Sequence, residues 1–63
     1  MQRFNLTNRE ISVAECLLKG WPNKQIASTL KVTEQTVKEH IKHIMDKTDT
    51  TTRTGILMAL SSE

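Results

Sequence analysis

Apolar residues recur three and four positions apart along much of this 63-residue chain, and short polar segments separate the stretches. Val13, Ala14, Leu17 and Leu18, with Ile11 beside them, form the first stripe, a spacing that gathers side chains on one face of a helix. Thr7-Asn8-Arg9-Glu10 ahead of it reads as a capping box, and Gly20 as the stop. The pattern predicts a helix over about 8–19 with Glu15 and Lys19 on its outer face. Pro22 fits the first turn of a second helix, about 23–30, where its missing N–H would have been unpaired anyway. Ile26, Ala27 and Leu30 form its inner stripe, and the small Ala27 suits a close crossing by the next helix. Lys31-Val32-Thr33 is then a tight turn with Val32 as an apolar plug.

Thr33 is a good N-cap for a third helix, about 34–47, whose inner face holds Val37, Ile41, Ile44 and Met45. Its opposite face displays Gln35, Lys38, Glu39, Lys42 and His43. Thr48 to Thr52 is polar and β-branched, with Asp49 where a helix end favours Gly or Asn, and reads as a loop. A fourth helix, about 52–61, carries Ile56, Leu57, Met58, Ala59 and Leu60, apolar over more than one face. Two meanings stay open for that breadth: closure of the bundle with some tolerated exposure, or a surface for a partner.

The fold class is therefore all-α, a four-helix bundle with a helix-turn-helix at its centre and the third helix as the recognition helix. Residues 1–63 make one domain at most, and a chain this short buries only about 60% of its unfolded surface. A sensor or catalytic domain does not fit beside it. The single Cys16 lies in a helical apolar pattern and has no internal disulfide partner, which favours an inert thiol in a reduced, intracellular protein. No apolar run approaches the roughly 18 residues of a membrane span, and the polar start Met-Gln-Arg-Phe-Asn lacks a signal region. A cytoplasmic location without membrane contact is expected.

The net charge of +2 is small but unevenly placed. Arg3 and Arg9 balance Glu10 and Glu15, whereas residues 19–47 hold six Lys against Glu34, Glu39 and Asp46. The positive field thus falls on the two central helices, as a phosphate footprint requires. A helix entering the major groove needs exposed donors near its N-terminal half and a preceding helix that rests on the backbone. Lys38 and Lys42, at i and i+4, share one side of the third helix and could donate to guanine O6 and N7 or to phosphate. Glu39 could accept from cytosine N4, repel a wrongly docked phosphate, or remain a solvated or intrahelical partner of nearby Lys or His43. Thr33 and Thr36 with the free amides of the helix start suit phosphate oxygens, as do Asn23 and Lys24, while Gln35 and His43 extend the phosphate set along the polar face.

Trp21 beside Pro22 reads as a packing anchor between the first two helices rather than a base-stacking residue. His40 and His43, three apart, lack a completing ligand set, so no metal and no cofactor are expected. No Ser/His/Asp arrangement, paired acid or Gly-rich phosphate loop is present, which argues against an enzyme and against a small-molecule ligand.

Leu6-Thr7-x-Arg9-Glu10, Gly20-x-Pro22-Asn23-Lys24-x-Ile26-Ala27-x-x-Leu30 and Thr36-Val37-Lys38-x-His40-x-x-x-Ile44, followed by Lys47 and Arg53, resemble the LuxR-type (NarL/FixJ) helix-turn-helix domain. The resemblance covers about residues 6–60, and the Pro-Asn-Lys start with Lys42-His43 is nearest in pattern to the NarL subfamily. It implies a four-helix DNA-binding domain, the output part of a bacterial transcription regulator, with Lys38, residue 39 and Lys42 facing bases and the helix-start Thr residues facing phosphates. It also implies homodimers on operator half-sites, supported by the fourth helix at Ile56, Leu57 and Leu60, and contact with RNA polymerase. Such domains usually end a longer regulator that begins with a phosphorylated receiver or a ligand-binding domain.

Two positions depart from the family pattern. Glu39 stands where the NarL-like pattern has Val, so an apolar contact with a thymine methyl is lost. Lys47-Thr48-Asp49-Thr50 replaces Lys-Leu-Gly-Val, which removes a buried anchor worth about 2 kcal/mol and leaves Asp49 either in left-handed geometry or in a longer loop. Two other readings compete: a region-four-like sigma-factor domain, and a protein-interaction or dimerisation module with a degenerate DNA face. His40 and the absence of an Arg-rich third helix oppose the first; Glu39 and the unusual turn motivate the second.

Overall fold

The computed structural model describes residues 4–62; the rest of the polar start, with Arg3, and the C-terminal Glu63 lie outside them. Among the described residues the chain forms four helices and no strand: α1 (Asn8–Leu18), α2 (Asn23–Leu30), α3 (Glu34–Thr48) and α4 (Arg53–Ser61).

Local chemistry explains most of the helix ends. The Thr7 hydroxyl accepts from the Glu10 amide at 3.2 Å and the Glu10 carboxylate accepts from the Thr7 amide at 2.9 Å, so the capping box is complete. Pro22 stands at the N-cap of α2, one position ahead of the first turn, and contributes no side-chain cap. Thr33 and Thr52 cap α3 and α4 by accepting from the amides of Thr36 and Gly55. At the other ends the chain turns through left-handed residues: Gly20 after α1 (φ 79), Lys31 after α2 (φ 60) and Asp49 after α3 (φ 56). Each lets the following amide reach back into the last turn, Trp21 to the Cys16 carbonyl, Val32 to that of Ala27 and Thr50 to that of Met45. Of the two alternatives for Asp49, the chain takes the left-handed one.

The loop expected from Thr48 begins one residue later. Thr48 completes the last turn of α3 and is buried, its hydroxyl donating to the Ile44 carbonyl at 2.8 Å. A hydroxyl paired with its own helix can enter an apolar core without an unsatisfied group, and that is why a polar residue stands where a larger apolar anchor is usual. Gly55 suits a close approach, since a Cβ there would lie 3.0 Å from the Thr50 Cβ, which would have to give by a few tenths of an ångström.

α3 is the hub: the substantial interhelix packings are those of α1, α2 and α4 against it. Val37, Ile41 and Ile44 from α3 meet Val13, Ala14, Cys16 and Leu17 of α1, Ile26 and Ala27 of α2, and Ile56 and Leu60 of α4 in one core, closed by Leu6. Trp21, Leu30, Val32 and Met45 pack around its edge, so Trp21 and Val32 are both packing residues as expected. Cys16 is a free, buried thiol.

Two stability predictions follow from this packing. Ile44→Ala, at a fully buried position on the hub helix, should cost about 2–5 kcal/mol and shift chemical denaturation accordingly. Lys31→Gly should gain about 1 kcal/mol by removing a Cβ from left-handed backbone, with a smaller gain for Asp49→Gly because Asp tolerates that region better.

Candidate nucleic-acid interface

α3 divides cleanly into two faces. Val37, Ile41, Ile44 and Thr48, spaced by four, three and four, are buried, while Gln35, Lys38, Glu39, Lys42 and His43 are exposed on the other side. Lys38 and Lys42 are one turn apart on that face, about 6 Å along the axis. Glu39 makes no hydrogen bond or ion pair with any described residue, so the intrahelical pairing open to it in the sequence is not formed. A bare carboxylate therefore flanks the two lysines on a surface otherwise rich in donors.

The start of α3 differs from the expectation of several free amides beside free hydroxyls. Thr33 Oγ1 accepts from the Thr36 amide at 3.1 Å and lies 2.9 Å from Thr36 Oγ1, so both hydroxyls already share one small network. The Glu34 and Gln35 amides remain as first-turn donors without an acceptor within the helix. Across the tight turn, Lys24 is exposed in the first turn of α2 and Asn23 beside it is half-buried. Asn23 is not free either: its Oδ1 accepts from Arg53 Nη1 at 2.7 Å, and Arg53 Nη2 donates to the Trp21 carbonyl.

A second tie holds the other end of α3. Glu10 is only 4% exposed, and its Oε1 accepts from Lys47 Nζ at 2.7 Å as well as from the Thr7 amide. Lys47 also donates to the Asn5 carbonyl at 3.2 Å, and His43 Nδ1 lies 3.9 Å from Glu10 Oε2. Burial pushes the Glu10 carboxyl up, but the hydrogen bonds from Lys47 and Thr7 and the Lys47 charge outweigh it and hold the group below its ordinary value. Neither tie was visible in the chain, where Glu10 read only as a cap and Arg53 only as part of a motif. Their partners lie 37 and 30 residues away, beyond any local pattern.

The pairing residues expected on α4 need correction. Ile56 is 0% exposed and Leu60 is nearly as buried, because both face α3 in the core; neither is available to a partner. Leu57 is half-buried, and Met58, 69% exposed, is the large apolar side chain that α4 presents to solvent. Among the described residues no three His, Cys, Asp or Glu side chains cluster as metal ligands, and no pocket is enclosed. No described helix is long and apolar enough to cross a membrane.

Two helices joined by a tight turn, the second presenting a lysine-bearing polar face and both seated on a supporting bundle, define a helix-turn-helix DNA-binding domain. The chain belongs to the LuxR family of bacterial regulatory proteins, whose family model matches residues 4–60. It is 48% identical over 48 residues to the nitrate/nitrite response regulator protein NarP of Escherichia coli (strain K12), which covers 76% of this chain and 22% of that protein. The nitrate/nitrite response regulator protein NarL of the same strain is 48% identical over 42 residues, 67% of this chain and 19% of the relative. The response regulator protein VraR of Staphylococcus aureus (strain NCTC 8325 / PS 47) is 39% identical over 49 residues, 78% of this chain and 23% of the relative. The chain thus spans about a fifth of the length of these relatives. No solved structure gives a significant match. The family is one of DNA-binding transcription regulator domains rather than enzymes, and the chain is an output domain of that kind.

The half-buried ion pair of Glu10 and Lys47 gives this domain an acid sensitivity. Because the folded Glu10 value lies below the unfolded one, its contribution is fully present above the unfolded value of about 4.3 and is lost as pH falls from there through the folded value. The melting temperature should fall on acidification through that window, and Glu10→Gln should flatten the dependence while lowering the melting temperature at pH 7.

Proposed function

We propose that this domain reads double-stranded DNA by laying α3 in the major groove, as the output end of a response regulator working in the bacterial cytoplasm on the nucleoid. The observation that carries the reading is the exposed polar face of α3, free of internal pairing at Lys38, Glu39 and Lys42, within a chain whose family match spans nearly all of it. In this reading Lys38 and Lys42 donate to base edges and Glu39 accepts from an exocyclic amine, cytosine N4 being the favoured donor. Asn23, Lys24, Thr33, Gln35, Thr36 and His43 address phosphates around them. The domain has no catalytic role.

The longest dimension of the fold, 28 Å, is shorter than the 34–36 Å, roughly, that separate half-sites one turn apart, so one copy serves one half-site. Two copies then bind as a homodimer. With Ile56 and Leu60 committed to the core, pairing falls to Leu57 and Met58 on the outer side of α4. RNA polymerase is the further partner, reached once the dimer sits beside a promoter. The response-regulator names of NarP, NarL and VraR support a receiver domain in the longer protein, with phosphorylation as the signal.

The test is an anisotropy titration on random duplex at low and moderate salt, followed by selection of bound sites from a random pool. Binding should weaken steeply with salt, and absence of binding at both salts would overturn the proposal. Lys38→Ala should cost about 1–3 kcal/mol on the selected site and relax preference at one position. An equal loss on random duplex would reassign Lys38 to phosphate.

A further inference from the structure

Arg53 opens α4, away from the lysine-bearing face of α3, yet both of its hydrogen-bonded partners lie at the entrance to α2. Nη1 donates to Asn23 Oδ1 at 2.7 Å and Nη2 donates to the Trp21 carbonyl, so the guanidinium fork spans the junction that leads from α1 into α2. Both Arg53 and Asn23 are half-buried, which shields the pair more than a surface contact would. A guanidinium has donors and no acceptor. It can therefore face only the oxygen of the Asn23 carboxamide, and the amide cannot flip without setting N–H against N–H. The Nδ2 donors are left without a partner among the described residues.

We propose that Arg53 is a positioning residue for DNA binding: it locks the Asn23 carboxamide with its oxygen turned toward α4, which leaves the NH2 group free to donate to a phosphate at the start of α2. The proposal rests on the reading of Asn23 as a phosphate contact. Arg53 itself touches no DNA in this arrangement. It supplies orientation, and Asn23 beside Lys24 supplies the contact. Without the fork the amide samples both orientations and the phosphate meets an oxygen in part of the population.

The experiment uses a labelled random-sequence duplex at low salt, where phosphate contacts dominate binding, with thermal melting of every variant as the control for folding. Asn23→Ala should weaken binding about tenfold, the scale of one hydrogen bond to a charged group. Asn23→Asp keeps two acceptors for Arg53 but has no N–H to give; it should melt at or above the wild-type temperature and bind at least as weakly as Asn23→Ala. Arg53→Gln, whose amide can accept as well as donate and so no longer dictates the orientation, should lose about twofold in the wild-type background, as for an orientation populated half the time, and nothing further in the Asn23→Ala background.

Wild-type affinity for Asn23→Ala would overturn both the phosphate reading and the proposal. Wild-type affinity for Asn23→Asp would overturn the claim that an N–H is presented. If the losses from Arg53→Gln and Asn23→Ala simply add, Arg53 acts through the fold alone, and the proposal fails while Asn23 keeps its contact. Should Arg53→Gln melt too low to assay, Arg53→Met, which removes the donors altogether, takes its place in the same comparison.

Discussion

The buried Glu10 carboxylate is the interaction on which the placement of the DNA-reading helix depends. One oxygen serves two purposes at once, closing the N-terminal cap of α1 and receiving the ammonium of Lys47 from the last turn of α3. A carboxylate removed from water is costly unless it is paired and hydrogen-bonded, and Glu10 satisfies both conditions. The consequence is geometric more than energetic. The same carboxylate that fixes where α1 begins also fixes where α3 ends, and Lys47 adds the Asn5 carbonyl that precedes both. The buried apolar stripe of α3 sets its register in the core, and the ion pair with its shared acceptor reinforces that register at the C-terminal end.

α3 has to satisfy two incompatible demands, since it is the centre of the core and also the exposed reading surface. A fifteen-residue helix resolves them by strict division of its faces, with Val37, Ile41, Ile44 and Thr48 inward and Gln35, Lys38, Glu39, Lys42 and His43 outward. The arrangement leaves the other helices to meet mainly through α3, so their packing stabilises the reader rather than one another. Side-chain ties then hold both ends of the motif. Arg9 of α1 donates to the Leu30 carbonyl at the end of α2, Arg53 of α4 holds the start of α2, and Lys47 anchors the end of α3. A small domain gains rigidity at its functional edge in this way without a larger core.

The departures from the family pattern have different physical weights. Thr48 and Asp49 change the turn after α3 yet cost the fold little, because the hydroxyl pairs with its own helix and Asp is among the residues that tolerate left-handed backbone. Glu39 is compensated by nothing within the chain. In the proposed DNA complex, an unpaired carboxylate at this position would penalise every arrangement except one that offers it a donor, and major-groove donors belong to specific bases. Stability tolerates the first pair of changes; in the proposed reading, recognition carries the second.

What the chain determined by itself lies within about four residues of each position. Helical periodicity, the capping box at Thr7 and Glu10, the Gly20 stop and the Thr33 cap are contacts between near neighbours, and the four helices, most of the inner stripes and the polar face of α3 were legible from them; Leu18, expected in the inner stripe of α1, is instead 44% exposed at the end of that helix. Tertiary structure decided everything that joins distant positions. Whether Ile56 and Leu60 face a partner or the core depends on where α4 lands, and it lands with both against α3. In the chain alone Glu10 read as a cap, Asn23 as a phosphate contact, and Lys47 and Arg53 as parts of a motif. No local pattern distinguishes a solvated side chain from one whose partner arrives from 37 or 30 residues away, because that partner is brought by the packing of other residues.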